Sequence, residues 1–331
     1  MDILYIGNFA PLGSPLGYSP IADYILYSIE ELGHRVNGVN ECAVTAEDVI
    51  EELKSHKYDL ILTEEARLKG DHAGDDKGEK TDIRGYFTPV MEYARLCKIP
   101  IIAWFTNIFY GVSMREIQIT QNPIFKADIV FSTDGGHQKE FEAAGVNHVL
   151  LRQGIYEPEA VLGEPNPDIT AEIVFIGAIY EHIWPYRKKL IQWLEKTYKS
   201  RFAHYGQRGE VRHKNLSDMI ASVKIVVGDS VYCPYYWSNR IYEMIGRGAF
   251  FVHPRVEGLN EEFNEYKHFI PYDIGNFGQL KEIIDYYTDD RHKLERDRIR
   301  IAGYEHCRRA HTYKIRVQKL LQILRERGII N

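Results

Sequence analysis

Short apolar runs alternate with amphipathic segments along the whole chain, and the alternation breaks off once and then restarts. Residues 3–6 read as a first strand, followed by a Gly/Ser/Pro loop over 7–20 and a helix over 21–32 that Gly33 stops. The series continues with strand 35–39, helix 46–55, strand 58–62, helix 88–97 and strands 99–104, 128–132 and 148–151. Residues 67–80 are polar and glycine-rich, which predicts a long loop. Near-continuous apolar strands separated by helices imply a parallel sheet covered on both faces. Residues 157–168 hold three prolines and little apolar content, so a linker is expected there. The pattern then resumes with strand 172–176, helix 185–198, strand 202–205, helix 216–221 and strand 224–227. Strands 249–253 and 269–271 and helices near 278–287, 291–306 and 313–327 complete it. The chain therefore reads as two doubly wound α/β domains, and ligands of such pairs are expected in the cleft between them.

A chain of 331 residues is long enough for two cores, and 44% hydrophobic with 27% charged content is ordinary for a globular protein. A formal charge of −6 gives no broad attraction to nucleic acid, so DNA or RNA is not expected as the main partner. The basic residues Arg201, Arg208, Arg212, His213 and Lys214 read as solvated charges at loop and helix ends. Four scattered cysteines without a C-x-x-C pair fit reduced thiols in a cytoplasmic protein and argue against structural zinc. No apolar run approaches membrane-spanning length, and the acidic start Met1-Asp2-Ile3 reads as a strand rather than a signal peptide.

The stretch Ser238-Asn239-Arg240-Ile241-Tyr242-Glu243-Met244-Ile245-Gly246-Arg247-Gly248 reads as one helix with a glycine stop before a buried strand. Ile241, Met244 and Ile245 make its apolar stripe, while Asn239, Glu243 and Arg247 share the opposite face. Ser238 or Asn239 suits the N-cap and Gly248 the stop. Free N–H groups at a helix start beside an arginine suit an anion, and a glutamate one turn on suits paired hydroxyls. That is the geometry of a nucleotide pocket. An ordinary amphipathic helix with a wet polar face fits the same local pattern.

This stretch resembles the donor-binding segment of GT-B glycosyltransferases, in particular the CgeB-like (spore maturation protein) group. Other landmarks come in that family's order: Val174-Phe175-Ile176-Gly177-Ala178-Ile179-Tyr180 with Arg187, then His204-Tyr205-Gly206, then 216–227, then His311-Thr312-Tyr313 with Arg316. The similarity covers about residues 170–325 and, in the first half, only the layout. It implies a GT-B fold: a Rossmann-like acceptor domain over 1–158, a donor domain over 170–311, and a final helix over 312–328 crossing back to the first domain. It further implies transfer of a sugar from a nucleotide-diphosphate sugar to a hydroxyl acceptor, with no metal and no further cofactor.

On that resemblance Arg240, Ser238, Asn239 and Arg187 are expected to hold the diphosphate and Glu243 the ribose. Tyr205, Gly206 and Gly177 would lie by the donor, and the loop carrying Ser14, Leu16 and Gly17 would approach its phosphate. Glu243 matches the second glutamate of a paired-glutamate motif, whose first place is taken here by Tyr235. Stereochemistry stays open, leaning to retention. Asn107 stands where relatives often carry an aspartate and would orient rather than deprotonate. His72 and His137 are candidate bases, each also readable as a surface histidine, and no catalytic base is assigned. Asp75-Asp76 and Asp289-Asp290 read as solvated pairs rather than metal motifs. Patterns for P-loops, serine hydrolases, zincins and dinucleotide-binding dehydrogenases are missing. The rival expectations are an epimerase or hydrolase of nucleotide sugars on the same fold, and a non-catalytic sugar-nucleotide-binding protein. The acceptor is open, a modified nucleobase included.

Overall fold

The computed structural model describes residues 1–9, 20–64, 87–179, 185–206, 212–231 and 233–330. Ser14, Leu16, Gly17 and His72 lie outside them. The chain divides into two compact units, residues 1–152 with 313–331, and residues 153–312. The expected linker, 157–168, is thus counted with the second unit.

In chain order the first unit runs β1 (Asp2–Gly7), α1 (Ile21–Glu31), β2 (Arg35–Asn40), α2 (Ala46–Ser55), β3 (Leu60–Thr63), α3 (Thr88–Cys97), β4 (Ile101–Trp104), α4 (Ser113–Gln121), β5 (Ile129–Ser132), α5 (Gln138–Ala143) and β6 (His148–Leu150). The second runs β7 (Ile173–Ile176), α6 (Pro185–Tyr198), β8 (Phe202–Tyr205), α7 (His213–Ser222), β9 (Ile225–Val227), α8 (Arg240–Ile245), β10 (Phe251–Pro254), β11 (Ile270–Tyr272), α9 (Phe277–Thr288) and α10 (Lys293–Ala310). The last helix, α11 (Tyr313–Glu326), packs beside α1 in the first unit, where Lys314 and Glu31 lie 3.6 Å apart.

Both sheets are parallel. Their orders are β2-β1-β3-β4-β5-β6 and β11-β10-β9-β7-β8. In each unit, then, the second strand lies on one side of the first and all later strands lie on the other. This places a topological switch point between β1 and β3 and another between β7 and β9, where open α/β sheets bind ligands beyond the strands' carboxyl ends.

Local chemistry explains the elements. The Thr45 side chain and Asp48 close a capping box at the start of α2, with the Thr45 N–H 2.8 Å from the Asp48 carboxylate. The Asn276 side chain caps α9 through the Gln279 amide at 3.0 Å. Alternate residues of β7 feed opposite cores. Val174 and Ile176 pack with α7 and α8, and Ile173 and Phe175 pack with α6 and α9. Burying each such side chain contributes about 1.5–3 kcal/mol, so the central strands anchor the sites at their ends.

Candidate functional site

The switch point of the second sheet carries a cluster of charges. Asp229 stands two residues beyond β9 and is 1% exposed. It accepts a hydrogen bond from Arg187 Nε at 2.8 Å, and its other oxygen accepts one from Arg240 Nη1. Arg187, on the first turn of α6, also donates from Nη1 to the Ala178 carbonyl at 2.5 Å. The guanidiniums lie 5.7 and 5.1 Å from the centre of the Phe175 ring, whose π-face favours cations. Burial alone would push the Asp229 carboxyl up, but the two arginines outweigh it and hold it below the ordinary carboxylate range. Burial and the like charge of Arg187 bring Arg240 down to about 10, so it keeps its proton at neutral pH. Two guanidiniums thus converge on one carboxylate in a largely enclosed place.

Arg240 sits where it does because two glycines let backbones close up. A Cβ at Gly177, whose φ is +146°, would meet the Arg240 guanidinium at 2.6 Å. One at Gly206, with φ of +93°, would meet the Gly177 nitrogen at 2.9 Å. The Gly177 N–H donates to the Tyr205 carbonyl at 2.8 Å, and His204 Nε2 donates to the Gly177 carbonyl at 2.7 Å. Gly177, Tyr205 and Gly206 therefore join the cluster through β7 and β8.

The helix expected over the Ser238 stretch is shorter than its pattern suggested. α8 has six residues, and Asn239 at its N-cap is itself helical and makes no side-chain cap. So short a helix has little macrodipole, which removes that part of the expected anion attraction. What remains are polar groups without partners among the described residues: Arg240 Nε and Nη2, the solvent-shielded Ser238 Oγ, and Asn239 Oδ1. Buried polar atoms left unpaired in a protein are completed by a ligand or water far more often than they are tolerated. Glu243 is half-buried; its Oε2 accepts from Arg247 and its Oε1 lies 3.5 Å from Asn239 Nδ2.

Asp229 was missed by sequence reasoning. Its signal was an acid immediately past a buried strand in Gly228-Asp229-Ser230, legible only once β9 was known to adjoin β7. Tyr235, standing at the spacing of a glutamate, has a left-handed φ of +57°, and its ring lies against Gly258.

Asn107 and His137 belong to the first unit. Asn107 lies three residues past β4 and is half-buried. His137 precedes α5, stacks on Tyr110 with ring centres 4.3 Å apart, and lies 3.8 Å from Glu140. At that unit's switch point the buried Tyr5 donates its hydroxyl to Glu64, just past β3. Among the described residues no group of three or more His, Cys, Asp or Glu is arranged to hold a metal ion. No helix among them is long and apolar enough to cross a membrane.

Residues 186–322 match the family model described as Glycosyl transferase-like. No curated protein matches the sequence. Among solved structures the chain is similar to sucrose-phosphate synthase from Thermosynechococcus elongatus, at 12% identity, TM-score 0.64, and 98% coverage of each chain. It is similar to a glycosyltransferase from Rickettsia africae at 10% identity and TM-score 0.63, covering 98% of this chain and 97% of that one. It is also similar to HepE from Anabaena, solved with UDP-glucose, at 13% identity and TM-score 0.62, covering 98% of this chain and all of that one. Two parallel-sheet Rossmann-like units of this order have the GT-B glycosyltransferase fold, and within them residues 186–322 carry the glycosyltransferase-like family's pattern.

Proposed function

We propose that this protein is a glycosyltransferase that moves a sugar from a nucleoside-diphosphate sugar to a hydroxyl acceptor, the second unit holding the donor. The observation that carries this reading is the Arg187–Asp229–Arg240 cluster at the switch point, in which Arg240 keeps N–H groups that Asp229 does not take. In transfer the bond from the anomeric carbon to the β-phosphate oxygen breaks while a bond to the acceptor oxygen forms. Charge grows on the leaving diphosphate, and preorganised guanidinium donors are the groups that stabilise it. Arg240 contacts the diphosphate, with Ser238 and Asn239 beside it, and Asp229 holds the fork in place. Glu243 accepts hydrogen bonds from the ribose, while Gly177, Tyr205 and Gly206 allow close approach of the nucleotide. The acceptor hydroxyl gives up its proton as the nucleoside diphosphate leaves. The order of the quoted motifs favours the CgeB-like group.

The fold neighbour solved with UDP-glucose makes UDP the first probe. Thermal-shift and calorimetric titration with UDP, GDP, ADP, dTDP and CMP test the reading, because a ligand of the folded state raises its melting temperature. Selective stabilisation by one nucleoside diphosphate, lost in Arg240→Ala, is the expected result. No response to any of the five overturns the donor assignment.

A further inference from the structure

Arg247 lies on the polar face of its segment, yet its side chain is 1% exposed. Its guanidinium is spoken for on two sides: Nη1 donates to Glu243 Oε2 and, at 3.2 Å, to the Glu243 carbonyl, while Nη2 donates to Glu159 Oε2. Glu159 ends a short 3-10 turn at Glu157–Glu159, 88 residues away, and its other oxygen lies 2.6 Å from His213 Nδ1 at the start of α7. A buried arginine between two carboxylates is a poor device for stability, since the desolvation of each charge consumes the gain and apolar packing does as well. What the arrangement does achieve is geometric. It occupies one oxygen of Glu243 and fixes the other, Oε1, on the side of Asn239.

We infer that Arg247 and Glu159 are positioning residues for Glu243, clamping its carboxylate so that Oε1 alone is presented to a ribose hydroxyl of the bound nucleoside diphosphate. This rests on the donor reading above. A loose carboxylate spreads over several rotamers, and a hydroxyl that must order it gains less from binding. The clamp therefore acts on discrimination between ribose and deoxyribose, whereas a purely structural role changes stability alone.

The test is calorimetric titration of UDP, GDP and ADP against their 2′-deoxy and 3′-deoxy forms, on the full chain and on its Arg247→Lys and Glu159→Gln variants. The parent is expected to prefer a ribonucleotide over one of its deoxy forms by about tenfold or more, the worth of a hydrogen bond to a charged group. Arg247→Lys should bring that preference close to unity, and Glu159→Gln should reduce it. Affinity for the deoxy form should stay unchanged in both. A preference that survives unaltered in every variant that folds overturns the inference. If Arg247→Lys does not fold, Glu159→Gln, which keeps the shape of the side chain, decides alone. A parent that binds the diphosphates without preferring ribose removes the role of Glu243, and the clamp with it. A parent that binds none of them overturns the donor reading itself.

Discussion

Asp134 and Asp229 stand at the same distance past a strand in the two units, although β9 borders its unit's first strand and β5 lies between β4 and β6. Each stands two residues beyond the carboxyl end of a parallel strand, β5 or β9, and each is almost fully buried, at 2% and 1% exposure. Their partners are opposite in kind. Asp134 Oδ1 accepts the amide N–H groups of Phe109 and Tyr110, both at 2.8 Å, and Oδ2 lies 3.1 Å from Ser132 Oγ. Burial pushes its carboxyl up to about 6 against the pull of those amides. Asp229 faces two guanidiniums and is held below the ordinary range. Position at a strand end thus sets burial, and the neighbours set charge. A carboxylate that ties down the neighbouring loop after β4 has spent its capacity, whereas one that holds two arginines leaves Arg240 with donors to offer a ligand.

The largest test of this contrast is the matched pair Asp229→Asn and Asp134→Asn. Removing the charge of Asp229 leaves two buried guanidiniums facing each other, which costs about 3–5 kcal/mol and abolishes nucleoside-diphosphate binding. Asparagine at 134 still offers an oxygen to the amides, so the cost at pH 7 is about 1 kcal/mol or less. Urea unfolding of the two variants checks this, and equal losses break the comparison.

Acidity supplies the next effect, of opposite sign at the two sites. Asp134 has a folded-state value of about 6 against 3.8 unfolded, so its contribution to stability is fully present below 3.8 and is lost as pH rises through 6. At 1.36 kcal/mol per unit this is roughly 3 kcal/mol. Asp229 contributes stability that is present above 3.8 and lost as pH falls through its lower folded-state value. Stability of the parent minus that of Asp134→Asn, followed from pH 4 to 7.5, should fall as pH rises. A flat difference removes the raised value.

A smaller effect comes from Arg240→Lys. The ammonium keeps the charge but not the fork that bonds Asp229 while leaving other N–H groups for phosphate. Affinity for the nucleoside diphosphate should fall by about tenfold, or about 1.4 kcal/mol, with little change in melting temperature. Titration of the variant that gives parental affinity would show that charge alone, without the fork, carries the contact.

Legibility in the sequence follows the same division between local and distant causes. Helices α2, α3 and α6 and strand β8 stand where periodicity and breakers put them, because their apolar spacing and stops lie within one segment. α4 and α5 were not anticipated: neither shows a strong apolar stripe, and α5 has six residues. The Ser238 helix was read too long, since Gly246-Arg247-Gly248 continues the stripe's polar face without continuing the helix. In the candidate site Arg187, Arg240, Gly177 and Gly206 were named from motif order, and they do adjoin one another. Asp229 and Glu159 were not, because the contacts Arg187–Asp229 and Arg247–Glu159 span 42 and 88 residues. Only strand order brings such pairs together, and strand order is a tertiary property.

The smallest effect separates a relay from a plain hydrogen bond at Asp134. Ser132 Oγ lies between Asp134 Oδ2 and His148 Nε2, at 3.1 and 2.8 Å, and also accepts the Asp134 N–H at 3.1 Å. Burial pulls His148 down to about 4, so it is neutral near pH 7, and Gln138 Oε1 at 2.9 Å takes its Nδ1 proton. With Asp134 protonated, the acid donates to Ser132 and Ser132 donates to His148 Nε2. With Asp134 ionised, the hydroxyl turns its proton to the carboxylate instead. The serine serves both states by rotating one bond, so Ser132→Ala should cost about 1 kcal/mol at pH 5 and at pH 7.5 alike. Paired urea titrations at the two values measure it. A cost confined to one side of pH 6 would mean that the hydroxyl serves a single protonation state, and that Asp134 is tuned by Ser132 as well as by burial.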